Sequence, residues 1–517
     1  MKKTQQIRKG KKIIEREINY IPVRYIFAFL ITIIEVLSII GTVVVLCYFV
    51  PYFYIAAFVT QIVCVLNITA SKDNPDYKVP WLLFVLIMPV GGFMLYFIFY
   101  SRKLKKHLVK RLEALKRYDY ALDDSYELSE LKNEDSVAYS LAKLLKSTTG
   151  THLFKSGDCS YFSSGEELMT GLLSDLRRAK EFIYMEYFII EEGYFWNSIL
   201  NILKEKARQG VEIKVIYDDI GCMSTLPGNY SKTLREYGIE AVPFSRLKGG
   251  ADSEFNNRSH RKITVIDGKI GYTGGINIAD EYINKKEKFG HWKDVGIRIT
   301  GAPVWELTRL FVKDFGINSR GCSFHKELYP KTASDEDGYI VPFGDGPRPL
   351  YSHRASKMLL EAMIYSAKES IYLVTPYFIV GNELCSAIES AVLRGVSVTI
   401  LVPHIPDKRL VFSMTKSYYN RLISQGVKIF EYTPGFVHAK LYLVDGRYAM
   451  IGTVNLDYRS LVHHFENGIF IYNSPVIDDM YKDTLGTIKI SKEVKEEKTT
   501  LFSRFLRTFT RIFAPLL

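Results

Sequence analysis

The chain has 517 residues, 47% of them hydrophobic and 24% charged, with a formal net charge of +12. That length and apolar fraction exclude an intrinsically disordered chain and leave room for more than one folded unit. Its six cysteines, scattered without paired spacing, exclude a disulfide framework and argue against a structural zinc site.

The amino terminus, Lys2 to Lys12, is basic, and three apolar runs follow it: Tyr25 to Val50, Tyr52 to Ala70 and Pro80 to Tyr100. Each is about long enough to cross a hydrocarbon core of roughly 30 Å. Three in succession fit neither a cleavable signal peptide, which has one short apolar region, nor a set of buried core helices. Residues 1–110 are therefore expected to anchor the chain in a membrane through two or three transmembrane segments. Three spans would separate the basic segments Lys2–Lys12 and Arg102–Arg117, against the positive-inside tendency. Two spans plus a re-entrant or interfacial segment would place both inside, and the rest of the chain with them on the cytoplasmic face.

Counting charge by region changes what the net value means. Residues 1–117 hold 18 Lys and Arg against 6 Asp and Glu, and the remaining residues hold 50 of each. The surplus belongs to the membrane-proximal part. A nuclease clamping a polyanion would carry it near its site, so nucleic acid is not an expected partner. Residues 111–150, including the acidic, Ser-containing stretch 119–137, are expected to form a linker.

Beyond residue 150 the chain repeats itself. Ala179-Lys180-Glu181-Phe182-Ile183-Tyr184 matches Ala367-Lys368-Glu369-Ser370-Ile371-Tyr372, and Gly210-Val211-Glu212-Ile213-Lys214-Val215 matches Gly395-Val396-Ser397-Val398-Thr399-Ile400. Alternating strands and helices in each half predict α/β architecture: two lobes, residues 151–335 and 336–490, each a mixed or parallel sheet covered by helices.

Each half ends on the same polar signature. His260-Arg261-Lys262, Asp267 and Gly274-Gly275-Ile276-Asn277 have a twin in His438-Ala439-Lys440, Asp445 and Gly452-Thr453-Val454-Asn455, with every internal spacing preserved over a separation of 178 residues. A single His-Lys pair would ordinarily be a structural histidine beside a solvated lysine; duplication of the whole polar set argues against that. His and Lys two apart on a strand point to one face. Two copies facing each other would surround one anion with two imidazoles, two ammonium groups and two Asn amides. Such a set suits a phosphodiester: lysines and Asn277 and Asn455 on the non-bridging oxygens, one His attacking phosphorus, the other protonating the leaving oxygen. Four protein groups carrying the charge would make a metal unnecessary. Asp267 and Asp445 each precede Gly between alternating apolar runs, a tight-hairpin signal, so their expected work is to shape the turn and hold the neighbouring lysine.

The duplicated motif resembles that of the phospholipase D superfamily. Asn257-Arg258-Ser259-His260-Arg261-Lys262, Trp292-Lys293-Asp294, Thr375-Pro376-Tyr377-Phe378 and Asn455-Leu456-Asp457-Tyr458-Arg459-Ser460 leading to Phe465-Glu466-Asn467-Gly468 are similar to the bacterial cardiolipin synthases. The resemblance implies two lobes related by a pseudo-two-fold, a shared active site, and a phosphohistidine intermediate. It further implies that His260, Lys262, Asp267, His438, Lys440 and Asp445 form the catalytic set, with the amino-terminal His the usual nucleophile; the symmetry of the sequence leaves the two roles exchangeable. The expected reaction transfers a phosphatidyl group from one phosphatidylglycerol to another, yielding cardiolipin and glycerol without a cofactor, at the bacterial plasma membrane. A phospholipase D or phosphatidylserine-synthase-type enzyme would share the motifs with water or serine as acceptor. A membrane-bound nuclease fits less well.

Two further expectations concern single residues and the carboxyl end. Carboxylates should hold the imidazoles in one tautomer, and Asp294 and Glu466, 34 and 28 positions after their histidines, are the candidates. Arg459 and Ser460 would assist the phosphate or close a turn. From Leu501 to Leu517, Phe502, Phe505, Leu506, Phe509, Ile512, Phe513 and Leu516 form one helical stripe with Arg504, Arg507 and Arg511 off it. A basic amphipathic helix over 491–517 would lie on anionic membrane lipids or dock on the core.

Overall fold

The computed structural model describes residues 2–9, 12–19, 23–49, 51–71, 75–100, 122–246, 257–319, 323–325, 328, 337–348 and 350–496. The basic segment Arg102–Arg117 and residues 497–517 lie outside them; of the amphipathic helix expected over 491–517, the described residues 491–496 instead hold the short strand Lys492–Glu493, paired to Phe430 and Glu431.

Two large sheets form the body of the chain beyond residue 150. One has seven strands in the order Ser160–Phe162, Gly296–Thr300, Ile270–Gly274, Lys262–Ile266, Phe182–Tyr187, Glu212–Asp218 and Glu240–Phe244. The other has nine: Lys492–Glu493, Lys428–Tyr432, Ser397–Pro403, Ser370–Val374, Leu441–Val444, Tyr448–Gly452, Glu466–Tyr472, Tyr339–Asp345 and Phe154–Lys155. In each, three parallel strands joined by helices adjoin an antiparallel motif hairpin, as the internal repeat demands.

Strand periodicity explains the layering. Successive side chains point to opposite faces, and the repeated strands are apolar on both. Ile183 and Met185 pack with Leu172, Trp196, Ile199 and Leu203 of covering helices, whereas Phe182 and Tyr184 face the other way. Likewise Tyr442 and Val444 meet outer helices while Leu441 and Leu443 face inward. The inward residues of both sheets form one core, in which Phe182, Ile263 and Val265 share a cluster with Leu441, Leu443, Ile451 and Ile469. The result is helices, sheet, sheet, helices, with the two sheets face to face.

The segment expected as a linker is structured where it is described. Helices Ser125–Glu134 and Ser136–Thr149 bury Leu131, Ala138, Leu141, Ala142 and Leu145 in the outer core of the nine-stranded sheet. Those positions follow helical spacing, and the flanking acids and serines masked it. Asp135 caps the second helix through the Ala138 N–H.

The amino-terminal helices are α1 (Val23–Phe49), α2 (Pro51–Ala70), α3 (Pro75–Ile87) and α4 (Pro89–Tyr100). The first two are long and apolar enough to cross a membrane. The third apolar run breaks at Met88: α3 and α4 have 13 and 12 residues, roughly 20 and 18 Å each at the α-helical rise. They fold back on each other, with the rings of Trp81 and Tyr96 5.9 Å apart and Gly92 so close to Phe84 that a Cβ there would stand 2.2 Å from its carbonyl oxygen. Pro89 causes the break. It has no N–H, so the Val85 carbonyl four residues earlier loses its helical donor. Gln61 of α2 supplies the replacement, donating Nε2–H to Val85 O at 2.8 Å. A backbone carbonyl in an apolar layer needs such a partner. Gln61→Leu should therefore cost about 1–3 kcal/mol, read as a lower thermal midpoint of the detergent-solubilised protein, whereas Gln61→Asn should cost less only if the shorter amide still reaches.

Candidate active site

Both motif hairpins turn through the same geometry. Asp267 and Gly268 have φ of 53° and 64°, and Asp445 and Gly446 have 53° and 63°. Two successive left-handed residues match the right-handed twist of the flanking strands, which is why Asp-Gly stands at both turns. The carboxylates do not hold lysines. Asp267 accepts the N–H groups of Lys180, Glu181 and Phe182, and Asp445 those of Lys368, Glu369 and Ser370. Each aspartate thus pins the start of the neighbouring parallel strand, at the opposite end of the motif strand from the histidine.

At that other end, each half completes its partner. The Nδ1 of His260 lies 3.1 Å from Glu466 Oε2, and the Nδ1 of His438 lies 2.6 Å from Asp294 Oδ2. Every one of these pairs joins one half to the other. Backbone bonds repeat the exchange: His260 N–H donates to Phe465 O at 2.9 Å, and His438 N–H to Lys293 O at 2.7 Å. Trp292 and Lys293 run parallel to Phe436 and Val437, and Asn467 Nδ2 donates to Thr273 Oγ1. Both catalytic-motif histidines and both carboxylates are buried.

Lys262 and Lys440 follow their histidines into the same buried space. Lys262 Nζ donates to His260 O at 2.6 Å, and Lys440 Nζ contacts both His438 Nδ1, at 2.8 Å, and His438 O. The two asparagines part company. Asn277 is occupied within its own half, accepting from the Ile189 N–H and donating to the Tyr282 hydroxyl. Asn455 keeps its Oδ1 buried without a hydrogen-bond partner. A phosphate-binding role therefore suits Asn455 better than Asn277, whose amide already holds the loop after the motif strand.

Burial sets the protonation states. It pushes His260 down to about 3 and His438 to about 4, with Lys262 and Lys440 adding to the effect and Glu466 and Asp294 opposing it. Both imidazoles are neutral at rest. Burial opposes ionisation of Glu466 and Asp294 too, but the facing histidines, with Lys440 beside Asp294, hold both below the usual carboxylate range. Burial also drives Lys262 well below its normal value and Lys440 to about 8, despite the pull of Asp294 and Glu466 on both. The site resembles a poised acid–base pair: bare imidazole Nε2 atoms, with Nδ1 turned to an ionised carboxylate.

Ser460 closes a turn, one of the two roles expected of it, and several further contacts were not foreseen. Thr453 Oγ1 donates to Glu466 Oε2, and Ser460 Oγ donates to Oε1 at 2.6 Å while accepting the Asn455 N–H. Ser460 closes the Asp457 turn and steadies the carboxylate at once. Arg261, between the motif His and Lys, is fully buried; it pairs with Asp314 and donates to Glu466 O and the Tyr351 hydroxyl. Arg258 is buried against Asp218. Trp292 packs 5.3 Å from the His438 ring, where His464 packs 5.6 Å from that of His260. His260, His464 and Glu466 place one ligand atom each within 4.8 Å. Glu466 already has both oxygens engaged by hydroxyls, so the grouping reads as a proton-bearing network rather than a cation cage.

Comparison with known proteins shows the family. Residues 172–293 and 360–484 match the family described as Cardiolipin synthase, PLD-like domain, and residues 55–99 match Phospholipase D-nuclease N-terminal. The cardiolipin synthase of Halalkalibacterium halodurans is 32% identical over 455 residues, covering 86% of this chain and 90% of that one. The chain belongs to the cardiolipin synthase family. The synthase of Staphylococcus aureus strain Mu50 is also 32% identical, over 84% of this chain and 90% of its own. Among solved structures, phosphatidylserine synthase of Haemophilus influenzae Rd KW20 superposes with a TM-score of 0.56 over 74% of this chain and 99% of that chain; at 16% identity the likeness concerns the fold. The enzyme is a phosphatidyltransferase of the phospholipase D superfamily.

Two expected outcomes follow from the site. A Cβ on Gly275 would stand 2.0 Å from Asp294 Oδ1, so Gly275→Ala should swing that carboxylate off His438 and lower kcat/KM on the order of a hundredfold, with the fold retained by circular dichroism. Lys440, held at about 8, loses its charge as pH rises through that value. kcat/KM should therefore fall above pH 8, because kcat/KM reports the free enzyme, and Lys440→Arg should remove that limb from the profile.

Proposed function

We propose that this synthase joins two phosphatidylglycerol molecules into cardiolipin and glycerol by a two-step transfer on histidine. The observation that carries the reading is the crossed pair of carboxylate-held, neutral imidazoles in one buried site. His260 Nε2 attacks phosphorus of the first phosphatidylglycerol, forming an N–P bond as the P–O bond to the head-group glycerol breaks. The bound phosphodiester is an anion and raises the proton affinity of His438, which takes up a proton and gives it to the departing glycerol oxygen. His438 then deprotonates the glycerol hydroxyl of a second phosphatidylglycerol. That oxygen attacks phosphorus, the N–P bond breaks, and His260 is restored. Lys262, Lys440 and Asn455 hold the non-bridging oxygens as charge gathers on them. Attack is assigned to His260 on the family resemblance, and the reaction draws on protein groups alone for its charge stabilisation.

Placement in the bilayer supports transfer over hydrolysis. We read α1 and α2 as the two spans and the short α3–α4 hairpin as re-entrant, which returns the chain to the side from which it entered. That arrangement keeps Lys2–Lys12, Arg102–Arg117 and the catalytic lobes together on the cytoplasmic face. A site opening at the lipid surface meets a second lipid more readily than bulk water.

Purified, detergent-solubilised enzyme given phosphatidylglycerol as the sole phospholipid, with chelator present, should yield cardiolipin and glycerol in equal amounts by mass spectrometry. Phosphatidic acid in place of cardiolipin would mean water is the acceptor. Brief mixing of the wild-type enzyme with phosphatidylglycerol and acid-free quenching should reveal a phosphatidyl adduct on His260, located by peptide mass spectrometry; an adduct on His438 instead would exchange the two roles.

A further inference from the structure

The membrane hairpin touches the catalytic lobe at a place with a direct line to the active site. Asp76, in the first turn of α3, accepts a hydrogen bond from the Tyr458 hydroxyl at 2.9 Å and from the Asn382 backbone N–H at 3.2 Å, both on Oδ2. Asn382 begins the helix Asn382–Leu393, whose preceding residue is Gly381 and which has no side-chain cap from its own segment. A helix start leaves backbone N–H groups without internal partners and carries partial positive charge. Asp76 meets one of those N–H groups from another part of the fold. Gly381 makes room for it, since a Cβ there would lie 3.0 Å from Asp76 Oδ2.

Tyr458 belongs to the turn next to the active site. It stands two residues before Ser460, in the turn closed by the Ser460 N–H on Asp457 Oδ1, and the Ser460 hydroxyl holds Glu466, the carboxylate on His260. On the membrane side the base of the hairpin is also fixed. Lys78 Nζ donates to the Thr69 and Ser71 carbonyls at the end of α2, at 2.9 and 2.5 Å, so the position of Asp76 is tied to the spanning helix and not only to α3.

We propose that Asp76 is a positioning residue that docks the re-entrant hairpin onto the Tyr458 turn and so holds the mouth of the active site at the bilayer surface, where lipid substrate can enter without leaving the membrane. The proposal rests on the phosphatidyl-transfer reading above. Its mark is selectivity between substrate forms: the tie matters for phosphatidylglycerol embedded in a bilayer and not for the same head group presented as a dissolved monomer.

The test uses the full chain reconstituted in phosphatidylcholine vesicles. Cardiolipin formation is measured from long-chain phosphatidylglycerol in the same vesicles and, separately, from dihexanoyl phosphatidylglycerol as a monomer in solution. Asp76→Asn and Asp76→Ala should each lower turnover of the embedded substrate about tenfold, the size expected for losing hydrogen bonds to a charged group, while turnover of the monomer stays within about twofold of wild type. Tyr458→Phe should lower embedded-substrate turnover as well, and the Asp76→Ala/Tyr458→Phe double variant should fall no further than the worse single one. Unchanged rates on both substrates in Asp76→Asn would overturn the proposal. An equal fall on both would do so too, because it would make the contact a general support of the lobe. Wild-type enzyme forming no cardiolipin from the monomer or the vesicle would instead overturn the transfer reading on which the proposal rests.

Discussion

The rest of the structure depends on a crossed exchange of carboxylates. Glu466 of the second half serves His260 of the first, and Asp294 of the first serves His438 of the second. Burying an imidazole and an ionised carboxylate together is costly unless each satisfies the other. The pairing is therefore a constraint on the fold as well as a device for chemistry: the face-to-face sheets, their common core and the parallel stitch between His291–Lys293 and Gly435–Val437 hold the two ends at hydrogen-bonding distance.

The two copies are alike but not identical, and their differences match. Where the first motif has Gly275 against Asp294, the second has Thr453 donating to the longer Glu466. Asn277 serves its own loop while Asn455 keeps a buried Oδ1 without a hydrogen-bond partner. Arg261 fills the position held by Ala439 and reaches across to the Glu466 carbonyl. A duplicated motif has become one buried cluster with two unlike walls, in keeping with the different roles proposed for the two imidazoles.

Much of this was legible in the sequence, because repetition and period leave marks. The alternating apolar strands, the Asp-Gly turns and the preserved spacing of His, Lys and Asn required only strand geometry and turn chemistry. The partners of the histidines were within reach as candidates, since Asp294 and Glu466 occupy matching places in the two halves. Other features were not legible. The hydroxyls of Thr453 and Ser460 converge on Glu466 only through tertiary packing. The bonds from Asp267 and Asp445 run to backbone more than 70 residues away. The helices after residue 125 were obscured by their charged faces, and the sequence left the third apolar run open as a span or a re-entrant segment, because its length does not show that the helix breaks at Met88.

The shared core has a consequence for biogenesis. The chain is made from its amino terminus, so the membrane helices and the seven-stranded sheet emerge well before the nine-stranded sheet that covers it. Until then Phe182, Ile263, Val265 and their neighbours form an uncovered apolar face on a nascent chain already tethered to the bilayer, a state prone to misassembly. Assembly of the second sheet both hides this face and brings Glu466 to His260, so burial of the core and pairing of the two halves come together.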